Sequence, residues 1–135
     1  MKRIENKYII NGRDNYNKFI KFIFLNNFKE IFSKRKINSV YFDYNNLSLF
    51  DYSEEGLASK DKIRLRFYGT ALDFTKANLE IKTSNAYSKV KFTSKFESKD
   101  NTNNNKIKII KQNILSKKLI PTVKVTYDRR YFFSK

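Results

Sequence analysis

Hydrophobic and polar positions alternate strictly from Lys62 to Phe67: Lys62, Arg64 and Arg66 take one parity and Ile63, Leu65 and Phe67 the other, before Tyr68-Gly69 ends the run. Successive strand side chains point to opposite faces, so this segment predicts a strand with one cationic and one apolar face. The same pattern predicts a first strand over Arg3 to Ile10, where Arg3, Glu5 and Lys7 oppose Ile4, Tyr8 and Ile10. It recurs at Leu79-Glu80-Ile81-Lys82, and again where Tyr87, Lys89, Lys91 and Lys95 share a parity opposite Val90 and Phe92. Two segments rich in strand formers, Asn38 to Tyr44 and Thr122 to Tyr127 running on to Phe133, bring the predicted strands to six. Helical spacing of Tyr16, Phe19, Ile20, Ile23, Phe24 and Ile31 predicts a helix capped by Asp14 or Asn15 and reaching about Phe32. A short helix is expected from Lys106 to Lys118, stopped by Pro121, and a loop from Ser53 to Lys60.

The chain has 135 residues, 40% of them hydrophobic, including 9 Tyr and 13 Phe, which suffices for one folded domain with a modest core. Charge changes the picture more: 29 Lys and Arg stand against 13 Asp and Glu, a formal net charge of +16. Such an excess calls for an anionic partner. The cations share faces of separate strands, so an open sheet would make a basic platform and a closed barrel would line a positive tunnel. With no Cys and no His, thiolate chemistry and the usual general base are absent, and a metal would have to be held by oxygen, which suits Mg²⁺ or Mn²⁺. The longest apolar run, Phe22 to Leu25, is far below the roughly 20 residues of a membrane span. A cytoplasmic protein is the expectation.

The ordered segments Arg3-x-Glu5-x-Lys7, Ile37 to Asp43, Gly56 followed by Lys62 to Gly69, Leu79 to Lys82, and Tyr127-Asp128-Arg129-Arg130-Tyr131-Phe132 resemble the VTC domain. That is the polyphosphate polymerase domain of vacuolar transporter chaperone proteins and their bacterial relatives, among the triphosphate tunnel metalloenzymes related to the CYTH proteins. The resemblance implies an α+β fold: an antiparallel β-barrel of about eight strands forming a triphosphate tunnel, with helices packed outside. It implies transfer of the ATP γ-phosphate onto inorganic polyphosphate with Mn²⁺ or Mg²⁺. Residue by residue, Lys7, Arg64, Arg66 and Lys82 fall on the family's phosphate-binding basic positions, and Tyr127 and Arg129 on its Tyr-x-Arg pair. Lys89 or Lys91 supplies a further tunnel lysine, and Arg3 and Lys62 extend the basic set. Glu5 and Glu80 are candidate metal ligands, and their residue types equally suit ion pairs with Lys7 and Lys82.

Two departures shape the expectation. Related tunnel enzymes carry Glu-x-Glu-x-Lys in the first strand, where this chain has Arg3 at the first Glu position. The family's later strands are not found before Lys135, so residues 1–135 are expected to form a partial domain, with about six of the eight strands of the barrel. The partners implied are ATP and inorganic polyphosphate. A membrane-associated partner, with work at the cytoplasmic face of a membrane, and self-association through an open barrel edge follow as further expectations. A single-stranded nucleic acid is not expected, because Phe67 lies opposite Arg64 and Arg66 and cannot stack bases beside them. A CYTH-type triphosphate hydrolase and a non-catalytic polyphosphate-binding protein are the alternatives.

Overall fold

The computed structural model describes residues 6–56, 59–70, 76–97 and 104–134. In order they form α1 (Arg13–Leu25), β1 (Lys29–Tyr44), α2 (Ser48–Glu54), β2 (Ser59–Tyr68), β3 (Asn78–Asn85), β4 (Lys89–Lys95), α3 (Asn105–Leu115) and β5 (Leu119–Phe133). The fold is α+β, with a five-stranded sheet in the order β4-β3-β2-β1-β5 that does not close. The neighbours β1/β2, β2/β3 and β3/β4 pair antiparallel. The chain divides into two compact units, one of residues 1–34 with 130–135 and one of residues 35–129.

The larger unit holds the core. Across the sheet Ile63 pairs with Ile81 and Leu65 with Leu79, so the apolar parity of β2 and β3 falls on one face. Phe67, Phe42 and Leu119 join it, and α3 lays Ile107 and Ile110 over it. Ile63, Leu65, Phe67, Leu79 and Ile81 are all at most 2% exposed. At about 1.5–3 kcal/mol for each fully buried side chain of this size, this layer is the main favourable term of the unit. Helix α3 is pinned to the sheet by Lys106, whose Nζ donates to Asp61 Oδ1 at 2.9 Å and to Thr83 Oγ1 at 2.7 Å. Helix α2 begins at Leu47 in the left-handed region and has no cap of its own. Asp43 caps it from β1, accepting from the backbone N–H of Leu49 at 3.0 Å and of Phe50 at 2.9 Å.

The smaller unit is aromatic and loosely covered. Phe24 meets Phe132 edge to face, and Phe32 meets Tyr131 in the same way, each at 5.7 Å between ring centres. Arg130 donates through Nε and Nη2 to the two oxygens of Glu30, at 2.9 and 2.7 Å. Within α1 only Ile23 is buried.

Several sequence expectations are corrected. Residues 6–10, the described part of the predicted first strand, are irregular and exposed, so five strands form among the described residues rather than six. Alternation chooses which side chains share a face, but a strand also needs a neighbour for its backbone groups, and periodicity does not provide one. Helix α1 is capped by Gly12 at φ +83° rather than by Asp14 or Asn15, and it stops at Leu25 instead of running to Phe32. Asn27 adopts φ +60°, and the N–H groups of Phe28 and Asn27 close onto the carbonyls of Ile23 and Phe24. That Schellman turn ends the helix and releases Ile31 and Phe32 into β1. Residues 48–54 are helical, which overlaps the start of the expected loop. Tyr87 sits in the β3–β4 turn, where Asn85 Oδ1 accepts from its N–H at 3.0 Å, so β4 begins at Lys89. Helix α3 is ended by Lys117 at φ +58°, while Pro121 lies within β5. The sheet order leaves β5 at an edge, where a residue without an N–H is tolerated.

Candidate functional site

The face of the sheet opposite α3 collects the charged parity of β2, β3 and β4. Register places Lys62 across from Lys82, Arg64 across from Glu80, and Lys82 across from Lys91. On the other side of β2, Tyr41 faces Arg64 and Ser39 faces Arg66. Directly opposed strand residues have Cβ atoms about 5 Å apart and diagonal ones about 7–8 Å, within reach of long side chains.

Glu80, 4% exposed, sits at the centre of the cationic group. Its Oε2 accepts from Arg64 Nε at 2.9 Å and Nη2 at 2.6 Å. Its Oε1 takes Arg66 Nη1 and Lys91 Nζ, each at 3.2 Å. Burial pushes the Glu80 carboxyl up, but the hydrogen bond from Arg64 and the charges of Arg64, Arg66 and Lys91 outweigh it and hold the group below the usual carboxylate range. Burial likewise opposes charge on Arg64, and its hydrogen bonds to Glu80 and Tyr41 override that, leaving its pKa above the ordinary value. Both groups therefore stay ionised. Tyr41 Oη accepts from Arg64 Nη1 at 2.9 Å, and the guanidinium carbon lies 5.7 Å from the Tyr41 ring centre.

Beside this group lies a cleft of about 340 Å³ lined by Lys62, Lys82, Lys89 and Lys91 with Thr83, Ser84 and Val90. Lys91 belongs to both the cleft and the Glu80 group. Two further atoms mark the site: Arg66 Nε and Ser39 Oγ are buried with no hydrogen-bond partner among the described residues. Unpaired buried donors are uncommon in native folds, and a ligand oxygen is one way to satisfy them.

The structure thus assembles Arg64, Arg66, Glu80 and Lys91, and lines one cleft with Lys62, Lys82, Lys89 and Lys91. Tyr127 and Arg129 meet each other on β5: Arg129 Nη2 donates to Tyr127 Oη at 3.2 Å, and the guanidinium lies 5.4 Å from the ring centre. Lys7 is exposed ahead of α1 and belongs to the smaller unit. Arg3 and Glu5 lie outside the described residues. As to a metal, no group of three or more His, Cys, Asp or Glu comes together among the described residues. Both oxygens of Glu80 are already taken by cations, so in this arrangement its carboxylate does not offer itself to a divalent ion. Sequence reasoning missed Tyr41 and Ser39. Their parity on β1 signals a shared face, but only the register with β2 shows that the face is that of the arginines.

No helix among the described residues is long and apolar enough to cross a membrane. No curated protein matches the chain. The family model of the VTC domain matches residues 2–135. That family is generally enzymatic, and its function is tied to polyphosphate. On this match, spanning nearly the whole sequence, the chain belongs to the VTC domain family.

Proposed function

We propose that the chain acts as a polyphosphate polymerase, binding triphosphate and polyphosphate on the basic face of the larger unit and passing the ATP γ-phosphate to the polyphosphate end. The observation that carries this reading is the convergence of Arg64, Arg66, Lys62, Lys82, Lys89 and Lys91 on one face, with Glu80 in their midst. Phosphoryl transfer asks for positioning and charge neutralisation rather than a side-chain nucleophile, so the lack of His and Cys is no obstacle. In the transfer a terminal polyphosphate oxygen attacks the γ-phosphorus, the bond to the β–γ bridging oxygen breaks, and ADP leaves with that electron pair. Arg64 and Arg66 grip the phosphate oxygens through their planar donor forks, and the lysines act as mobile point charges along the chain. Tyr127 and Arg129 orient the terminal phosphates, as the family pattern implies. Glu80 serves as the internal counter-ion that keeps the arginines pre-aligned until phosphate displaces or joins it. Mn²⁺ or Mg²⁺ is the expected companion of the nucleotide phosphates, and no step is assigned to it.

Incubation with ATP and Mn²⁺ or Mg²⁺, followed by gel analysis of products, tests the reading. Long polyphosphate with stoichiometric ADP is expected, and the double variant Arg64→Ala with Arg66→Ala should reduce the rate at least a hundredfold while circular dichroism stays unchanged. Orthophosphate as the only product would make the chain a triphosphate hydrolase. Tight polyphosphate binding without turnover would make it an accessory binding protein.

A further inference from the structure

A second hollow in the larger unit, of about 390 Å³, lies between α2 and the ends of β1, β2 and β5. Its volume falls within the range of small-molecule sites, roughly 300–1,000 Å³. Its walls are mainly apolar, from Phe42, Leu49, Phe50, Ile63, Val123 and Val125. Phe50 and Val123 are 57% and 55% exposed, so apolar surface faces the hollow without cover from the described residues. Its charged lining is three carboxylates, Asp43, Glu54 and Asp61, against the single cation Lys62, beside the hydroxyls of Tyr41, Ser53 and Thr122. Asp43 is spent on the N–H groups of Tyr44, Leu49 and Phe50, and Asp61 on Thr83 and Lys106. Glu54, at the exposed end of α2, remains as an acceptor on the rim.

An excess of carboxylates over cations makes this lining less suited to a polyphosphate chain than the lysine cleft, whereas an uncharged planar group with hydrogen-bond donors would suit both the aromatic wall and Glu54. The hollow is also continuous with the phosphate-binding face through two residues. Lys62 lines both this hollow and the lysine cleft. Tyr41 lines the hollow while its hydroxyl accepts from Arg64.

We infer that this hollow holds the nucleoside of a nucleoside triphosphate, with the base against Phe50 and its donors toward Glu54, while the phosphates run past Lys62 into the basic cleft. The inference rests on the phosphate-binding reading above and adds to it how the chain tells a nucleotide from inorganic polyphosphate. Base stacking on one aromatic side chain contributes enough to change affinity by about tenfold or more.

The experiment compares a non-hydrolysable ATP analogue with inorganic tripolyphosphate by titration calorimetry at one ionic strength, using the whole chain and Phe50→Ala, Phe50→Tyr and Glu54→Gln variants. The parent should bind the ATP analogue about tenfold more tightly than tripolyphosphate. Phe50→Ala should remove that advantage and leave tripolyphosphate affinity unchanged, and Phe50→Tyr should retain it. Glu54→Gln should weaken only the nucleotide, by a few fold. Equal affinities in the parent, or Phe50→Ala weakening both ligands alike, would overturn the nucleoside site while leaving phosphate binding intact. Failure of the parent to bind tripolyphosphate would overturn the proposed function itself, and the nucleoside site with it.

Discussion

On one face of the larger unit's sheet, Ile63, Leu65, Phe67, Leu79 and Ile81 lie almost wholly hidden beneath α3. On the other, the alternate residues of the same strands are charged, and Arg66 and Glu80 are nonetheless buried, at 9% and 4% exposure. The difference lies in what burial costs. Hiding an aliphatic side chain is favourable by itself, whereas hiding a charge costs several kcal/mol unless its partners replace the lost water. The apolar face therefore needs only shape, while the charged face needs Arg64, Arg66 and Lys91 to converge on Glu80 and still leaves Arg66 Nε and Ser39 Oγ unpaired among the described residues. One face is built for stability, and the other holds a charge arrangement that an incoming anion can complete.

The comparison is broken most severely from the apolar side. Phe67→Ala should cost about 3–5 kcal/mol in urea unfolding, because the space under α3 cannot collapse around the loss. Glu80→Ala should cost about 3 kcal/mol, since it leaves Arg64 and Arg66 partly buried without their counter-ion. The decisive companion measurement is the stabilisation given by added tripolyphosphate, which should be larger in Glu80→Ala than in the parent because phosphate then replaces the carboxylate. A Glu80→Ala variant as stable as the parent, with no added gain from tripolyphosphate, would refute the counter-ion role. Acid sharpens the same point. The folded state holds the Glu80 carboxyl below its ordinary value of 4.5. Its contribution is therefore fully present above that value and lost as pH falls through the lower folded pKa, so the stability gap between parent and Glu80→Gln should narrow as the pH is taken below 4.5. The smallest effect is expected for Lys106→Met, up to about 1 kcal/mol, because its half-exposed pair with Asp61 and Thr83 is partly hydrated.

Much of this was legible in the chain. The alternation at Lys62 to Phe67 and at Leu79 to Lys82 correctly separated a cationic face from an apolar one, since side-chain parity is a local property of an extended backbone. The ends of α1 and α3 were less legible, because they depend on Asn27 and Lys117 taking left-handed conformations that helical periodicity does not announce. On β5 the strand formers Val123 and Val125 are 55% and 40% exposed. Cover is given by neighbouring elements, which no single strand encodes. Helix α2 was missed because its cap, Asp43, sits in the preceding strand rather than at the helix start.

The sequence by itself determined that separate strands would each carry cations on one side, that neither His nor Cys would take part, and that the residues follow the VTC pattern. Only the tertiary structure decided which charges meet. Glu80 pairs with Arg64, which stands directly opposite it, and with Arg66 and Lys91, which reach it diagonally from the two neighbouring strands, rather than with Lys82 two positions along its own strand. Register is fixed by the packing of residues far apart in sequence, and so the partners of a charge, unlike its face, are set by the folded sheet.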